Sequence, residues 1–193
     1  MAFVTSLWLA LLGTFYILGS AAQDYSITGY IASGTGCSPS TFSSSLASDG
    51  KNVGLKYGSF TAYAGPSYSY DDGRKNCQLT LSVKVPGGYQ FAFDKFNHNA
   101  SYAIGQDVTG SFKTSYYFQA TLPEAEGDGT IAGPAKLDTT LTDNFSPLVW
   151  SPCGQNAVVG INTEVRVDNG NNNAASGSFT IRSTPVSFTE SYA

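Results

Sequence analysis

Residues 77–85 read "CQLTLSVKV". Cys77, Leu79, Leu81, Val83 and Val85 are apolar, and Gln78, Thr80, Ser82 and Lys84 stand between them. Successive side chains of an extended chain point to opposite faces, so this stretch buries one face and wets the other. The same period runs through "AVVGINTEVRV" (157–167). There Ala157, Val159, Ile161, Val165 and Val167 form the apolar set, while Asn162, Glu164 and Arg166 face out. "VTGSFKTSYYFQA" (108–120) alternates through Val108, Phe112, Tyr116 and Phe118. "YQFAFDKF" (89–96) starts on Tyr89, Phe91 and Phe93, then changes phase at Phe96, which predicts a bulge. Weaker strands are expected at 25–33, 41–47, 52–62, 137–143 and 178–188, and no stretch after residue 22 has a helical period. Turn signals recur in "SDGKN" (48–52), "VPGGY" (85–89) and "DNGNNN" (168–173). The fold expected is all-β: an antiparallel β-sandwich of about nine strands, immunoglobulin-like in the broad sense.

The N-terminus says where such a sandwich goes. "LWLALLGTFYIL" (7–18) is a short apolar run, and "GSAA" (19–22) supplies small residues behind it. This is the pattern of a secretory leader over 1–22, cut before Gln23. The run is too short to span a bilayer and lacks a basic flank. Residues 23–193 suit a single domain with no later apolar span, so a released, extracellular monomer without membrane attachment is expected. Charged residues are only 12% and the net charge is −4. Without a basic stripe, nucleic acid and anionic membrane are excluded as partners.

Three cysteines, Cys37, Cys77 and Cys153, imply one disulfide and one leftover thiol in an oxidising compartment. The residues alone leave the pairing open. No CxxC or Cys/His cluster points to a metal, and no cofactor is expected. Asn99-Ala-Ser101 and Asn144-Phe-Ser146 are glycosylation sequons, which predicts surface positions for Asn99 and Asn144.

Candidates for chemistry are few. His98, the only histidine, reads as an exposed residue at a strand end, and no G-x-S-x-G elbow accompanies it. Asp71–Asp72 and Glu124/Glu126/Asp128 fall in glycine-rich stretches read as solvated loops, not as the paired carboxylates of a glycosidase. "EAEGDG" (124–129) imitates the first half of a calcium loop, but Ala135 stands where the closing Glu belongs. Cys153 reads as a buried thiol and Trp150 as a core residue.

What remains is recognition. "YAGPSYSYDDGRK" (63–75) mixes Tyr, Ser and Gly, the residues of binding loops. Tyr68, Tyr70, Asp71, Asp72 and Arg74 are the expected contacts, with Tyr63 folding back as a lid. If strands alternate in direction, this loop shares an end of the sandwich with 34–40, 104–106 and 144–156. The other end then receives 48–51, 86–88, 122–136 and 168–177. All three cysteines and Trp150 would lie with the tyrosine loop.

"SGTGCSPS" (33–40), "RKNCQLTLSVKVPGGYQF" (74–91) and "SPLVWSPCGQNAVVGINTEVRV" (146–167) together resemble the family called domain of unknown function 4360. Its members are small secreted proteins, mostly fungal, and the resemblance spans about residues 25–190. Members typically end in a further strand with a fourth cysteine, whereas this chain stops at "TESYA". If the first two and last two cysteines pair, Cys37–Cys77 is the disulfide and Cys153 is orphaned.

The expected function is non-catalytic binding outside the cell. The sharpest expectation is an effector-like inhibitor of a host papain-like cysteine protease in the plant apoplast, acting through loops at one sandwich end. It rests on the resemblance for its setting and on fold-level analogy for its target. The alternative is a carbohydrate- or cell-wall-binding module, because exposed aromatics on β-sandwiches also stack on sugars. A glycosidase-like enzyme is a third reading.

Overall fold

Period-two burial runs through each of the strongly alternating stretches. The computed structural model describes residues 25–48, 50–58, 60–119, 121 and 123–192. The expected leader over 1–22 lies outside the described residues. Eleven strands appear in chain order: β1 (Ser26–Ser33), β2 (Ser43–Leu46), β3 (Asn52–Lys56), β4 (Thr61–Ala64), β5 (Arg74–Lys84), β6 (Tyr89–Ile104), β7 (Thr109–Phe118), β8 (Glu124–Ala132), β9 (Ala135–Asn144), β10 (Ala157–Asp168) and β11 (Gly177–Tyr192). One sheet runs β1-β5-β10-β7-β8. The other runs β2-β3-β11-β6-β9, with β4 also paired to β11. These strands pair antiparallel. This is the expected sandwich, of jelly-roll type and with more strands than the expected nine.

The core is the sum of the alternating sets. Leu79 and Leu81 of β5, Phe112, Tyr116 and Phe118 of β7, and Val159, Ile161 and Val165 of β10 are all buried. They meet Phe91, Phe93 and Phe96 of β6 and Phe179 and Ile181 of β11 from the other sheet. Rings cross edge to face: Phe93–Tyr116 at 5.2 Å, Phe91–Phe118 at 5.2 Å and Tyr116–Phe145 at 5.1 Å between centroids. Each such pair adds about 0.5–1.5 kcal/mol beyond area burial. The bulge expected near Phe96 is present. Ser187 pairs Lys95 and Phe188 pairs Phe93, so Asp94 is the extra residue that resets the phase.

Two departures from expectation matter for the site. The span 52–62 is interrupted between β3 and β4. Both pieces pair antiparallel to β11, so the chain direction is unchanged. The span 122–136 is not a loop. β8 and β9 form a hairpin that closes one edge of both sheets, β8 pairing β7 and β9 pairing β6. β8 escaped notice because, of its nine side chains, only Ala125 is fully buried. Its inward positions are Ala125, Gly127, Gly129 and Ile131, and glycine at two of the four leaves no apolar alternation in the letters although burial alternates.

That unseen strand reverses the parity of every later loop. Arg74 of β5 pairs Arg166 of β10, Asp168 pairs Thr109, and Gly177 pairs both Ile104 and Ala64. The loops 65–73, 105–108 and 169–176 therefore share one end. Segment 145–156 lies at the other, where Gly154 N–H donates to Tyr89 O at 2.7 Å and Ser151 N–H to Phe91 O at 2.8 Å. The expectation that 144–156 shares an end with 63–75, and that 168–177 lies opposite, is thus reversed. Cys37 and Cys77 are bonded at the tyrosine-loop end with Cα atoms 5.3 Å apart. Cys153 is free and exposed at the far end, not buried as expected. Trp150 is half-buried beside it.

Candidate functional site

The tyrosine loop is folded by its own polar groups. β4 ends at Ala64, and Gly65 follows at φ +150°. A Cβ on Gly65 would sit 2.4 Å from Ser176 Oγ, so only glycine lets this loop lie against the 169–176 loop. Tyr68 N–H then donates to Gly65 O at 3.0 Å. A single 3-10 turn spans Tyr70–Gly73. Ser69 gives its N–H at 3.0 Å and its hydroxyl at 2.8 Å to Asp72 Oδ2. Those two bonds, with the Lys75 ammonium 3.5 Å away, hold the Asp72 carboxyl below the usual carboxylate range. Asp72 is thus the clasp of the turn, while Asp71 is exposed.

Tyr63 and Tyr68 stack face to face, centroids 4.9 Å apart and planes within 10°. Tyr70 is 88% exposed. Across from them, β10 delivers Arg166 and Asp168, and the following loop delivers Asn169. The three tyrosines, Arg74, Arg166, Asp168 and Asn169 wall a groove of about 270 Å³. Arg74 Nη2 donates to Glu164 Oε2 and Arg166 Nη2 to Asp168 Oδ2 at 2.8 Å. Gly170 N–H donates to Asp168 Oδ1 at 2.8 Å. Asn169 Nδ2 donates to Ala175 O at 3.1 Å, which ties its loop down. A guanidinium has five N–H donors, so one carboxylate contact leaves both arginines with capacity toward the groove.

Three of the five contact residues expected from sequence, Tyr68, Tyr70 and Arg74, line this groove, and Tyr63 joins them as a wall. Asp72 serves the loop itself. Arg166, Asp168 and Asn169 were missed because the unseen β8 assigned their loop to the opposite end.

His98 is not an exposed strand-end residue. β6 continues to Ile104, and after the bulge Phe96, His98 and Ala100 point inward together, all fully buried. Nδ1 lies 2.8 Å from Thr184 Oγ1, and Nε2 lies 3.0 Å from Asp143 Oδ2 and 3.1 Å from Thr114 Oγ1. All three partners are buried, and Asp143 Oδ1 has no hydrogen-bond partner. Gly127 makes room for that carboxylate: a Cβ there would fall 2.7 Å from Asp143 Cβ. This is a polar knot inside the core, out of reach of any solvent-borne substrate.

The acidic stretch "EAEGDG" is strand, not a cation loop. Glu124, Glu126 and Asp128 alternate along β8, and Glu126 pairs Lys113 at 2.7 Å. Among the described residues no group of three or more His, Cys, Asp and Glu side chains is placed to hold a metal ion. Among the same residues no helix is long and apolar enough to cross a membrane. Asn144 is exposed at the end of β9. Asn99 is half-buried in mid-strand, its Nδ2 donating to Ser183 Oγ at 2.9 Å.

The chain belongs to the family described as domain of unknown function (DUF4360), whose pattern matches residues 23–193. An uncharacterized secreted protein of Arthroderma benhamiae is 34% identical over 150 residues. The match covers 77% of this chain and 61% of that protein, so this chain spans less than two thirds of its relative's length. Among solved structures, TmCBM61 in complex with β-1,4-galactotriose matches over 86% of this chain and 90% of its own, at 14% identity and a TM-score of 0.28. A family 11 carbohydrate-binding module of Clostridium thermocellum matches over 88% of this chain and 91% of its own, at 12% identity and a TM-score of 0.23.

Proposed function

We propose that this DUF4360 protein is a secreted, non-catalytic carbohydrate-binding protein that takes a neutral glycan into the tyrosine groove. The observation that carries the reading is the wall of Tyr63, Tyr68 and Tyr70 opposite Arg166, Asp168 and Asn169. A pyranose has an apolar C–H face and a rim of hydroxyls. The negative face of an aromatic ring takes the first, and fixed donors and acceptors take the second. A stacked tyrosine pair is rigid before the ligand arrives, so little ordering entropy is lost on binding. Secretion is supported by the leader-like run over 1–22, by the Cys37–Cys77 bond, which persists in oxidising compartments, and by the relative's description.

The same geometry disfavours the protease-inhibitor reading. A loop that enters a cleft must project, and here Asp72 clasps the turn while Tyr63 and Tyr68 fold together into a concave wall; Tyr70 alone stands out. A glycosidase needs two carboxyl groups flanking the scissile bond. In this groove Asp168 is held by Arg166 and by Gly170 N–H, and His98 is in the core.

The test is retention on insoluble cell-wall polysaccharide with titration of soluble neutral oligosaccharides, for the native protein and for Tyr68→Ala and Tyr70→Ala. Truncating an aromatic hot spot costs about 2 kcal/mol, roughly thirty-fold in affinity, and each variant is expected to lose about that much for the soluble oligosaccharide. Inhibition of a papain-like protease with no glycan retained would overturn the reading.

A further inference from the structure

On the outer face of the five-stranded sheet a tyrosine lies against a glycine. Tyr117 of β7 is 44% exposed and pairs Gly160 of β10 directly. A Cβ on Gly160 would lie 2.7 Å from Tyr117 Cζ and 2.9 Å from its hydroxyl oxygen. The ring therefore lies down on bare backbone, which directs its other face to solvent. Register places the neighbours. Thr80 of β5 is the next residue across from Gly160, and one step along the strands lie Gln78, Asn162 and Ser115, each opposite the next. These positions share the outward face, since Leu79, Leu81, Ile161 and Tyr116, one residue away on each strand, are buried; Ser115 and Gly160 are themselves covered there, and Gln78, Thr80 and Asn162 are half-buried.

We propose that this face is a second glycan site, distinct from the groove, on which an extended neutral polysaccharide lies across the strands. Charge selects the occupant. The six central residues, Gln78, Thr80, Ser115, Tyr117, Gly160 and Asn162, carry no formal charge, so a charged ligand finds no counter-ion at the centre. Along the β8 margin Glu124 pairs across from Tyr117; Glu126, across from Ser115, is ion-paired with Lys113 at 2.7 Å, so Glu124 is the carboxylate that disfavours an anionic polymer there. Spacing agrees. Strands repeat at about 4.8 Å, close to the length of one sugar ring along an extended chain, so successive rings meet successive strands. Tyr117 offers the stacking face, and the planar amides of Gln78 and Asn162 can each donate and accept toward hydroxyls. The groove holds a chain end or a short segment; this face reads a run of units. The argument uses none of the groove's residues.

Affinity gel electrophoresis in hydroxyethyl cellulose, soluble galactan and polygalacturonate tests the proposal. The native protein is expected to be retarded by at least one of the two neutral polymers and not by polygalacturonate. Tyr117→Ala should lose at least ten-fold in affinity for that neutral polymer. Gly160→Ala, which lifts the ring while keeping it, and Asn162→Ala should each weaken binding several-fold, with melting temperatures showing which variants are folded. Undiminished retardation of folded Tyr117→Ala and Asn162→Ala overturns the proposal. So does absence of retardation in both neutral polymers, or stronger retardation in polygalacturonate. Titration with a short neutral oligosaccharide separates the two sites, because it reports the groove and responds to Tyr70→Ala.

Discussion

His98 sits at 0% exposure between Asp143, Thr114 and Thr184. A buried polar group costs stability unless it is bonded, and removing one partner of a buried pair costs more than the pair is worth. His98→Ala would strand the Asp143 carboxylate, whose Oδ1 already lacks a partner. The expected loss is about 3–5 kcal/mol by denaturant unfolding. The double variant His98→Leu/Asp143→Leu removes both ends of the pair and should recover part of that loss. A His98→Ala protein with native stability would contradict the polar knot. The position was legible in the sequence, since Phe96, His98, Ala100 and Ile104 keep one parity. It was misread because a lone polar residue after a phase change looks like the end of a strand. The clasping role of Asp72 was not legible, because an exposed acid in a loop and an acid bonded to Ser69 have the same letters around them.

At the scale of elements, the strands with one wet face were readable and β8 was not. β8 also has one covered face, but two of its four inward positions are Gly127 and Gly129, which carry no apolar side chain to mark that face in the sequence. Missing β8 misplaced the neighbour of the tyrosine loop, so half of the groove wall was invisible. The far end depends on a different contact. The Tyr116 hydroxyl of β7 donates to Phe93 O at 2.8 Å and accepts Val149 N–H at 3.3 Å, which fastens segment 145–156 to the core. Tyr116→Phe leaves those buried groups short of a partner. It should cost about 1–3 kcal/mol and speed hydrogen exchange at Val149 and Ser151. The groove at the other end should bind as before. Loss of glycan binding in this variant would mean that the two ends are not independent.

For the whole molecule, the disulfide and the aromatic core set the limits of stability. Cys37–Cys77 encloses a loop with a sequence separation of 40, which by chain entropy is worth about 4 kcal/mol. Burial pushes the hydroxyls of Tyr25 and Tyr116 up to about 12, against an ordinary value of 10.0. Below pH 10 both groups are protonated whether folded or unfolded, and their contribution is complete. Between about pH 10 and 12 the unfolded chain releases these protons first, so stability must fall as pH rises. Thermal melts across that window should show a steady decline for the native protein and a shallower one for Tyr116→Phe. Equal slopes would mean that Tyr116 ionises as freely in the fold as outside it.

The central claim, a glycan held by the tyrosine groove, is tested most directly by mapping amide chemical shifts during titration with a neutral oligosaccharide that the protein retains in polymeric form. The account predicts saturable shifts concentrated at Ala64–Arg74 and Arg166–Asn169, abolished by Tyr70→Ala. Shifts concentrated at 145–156, or none at concentrations where the polymer is bound, would contradict it.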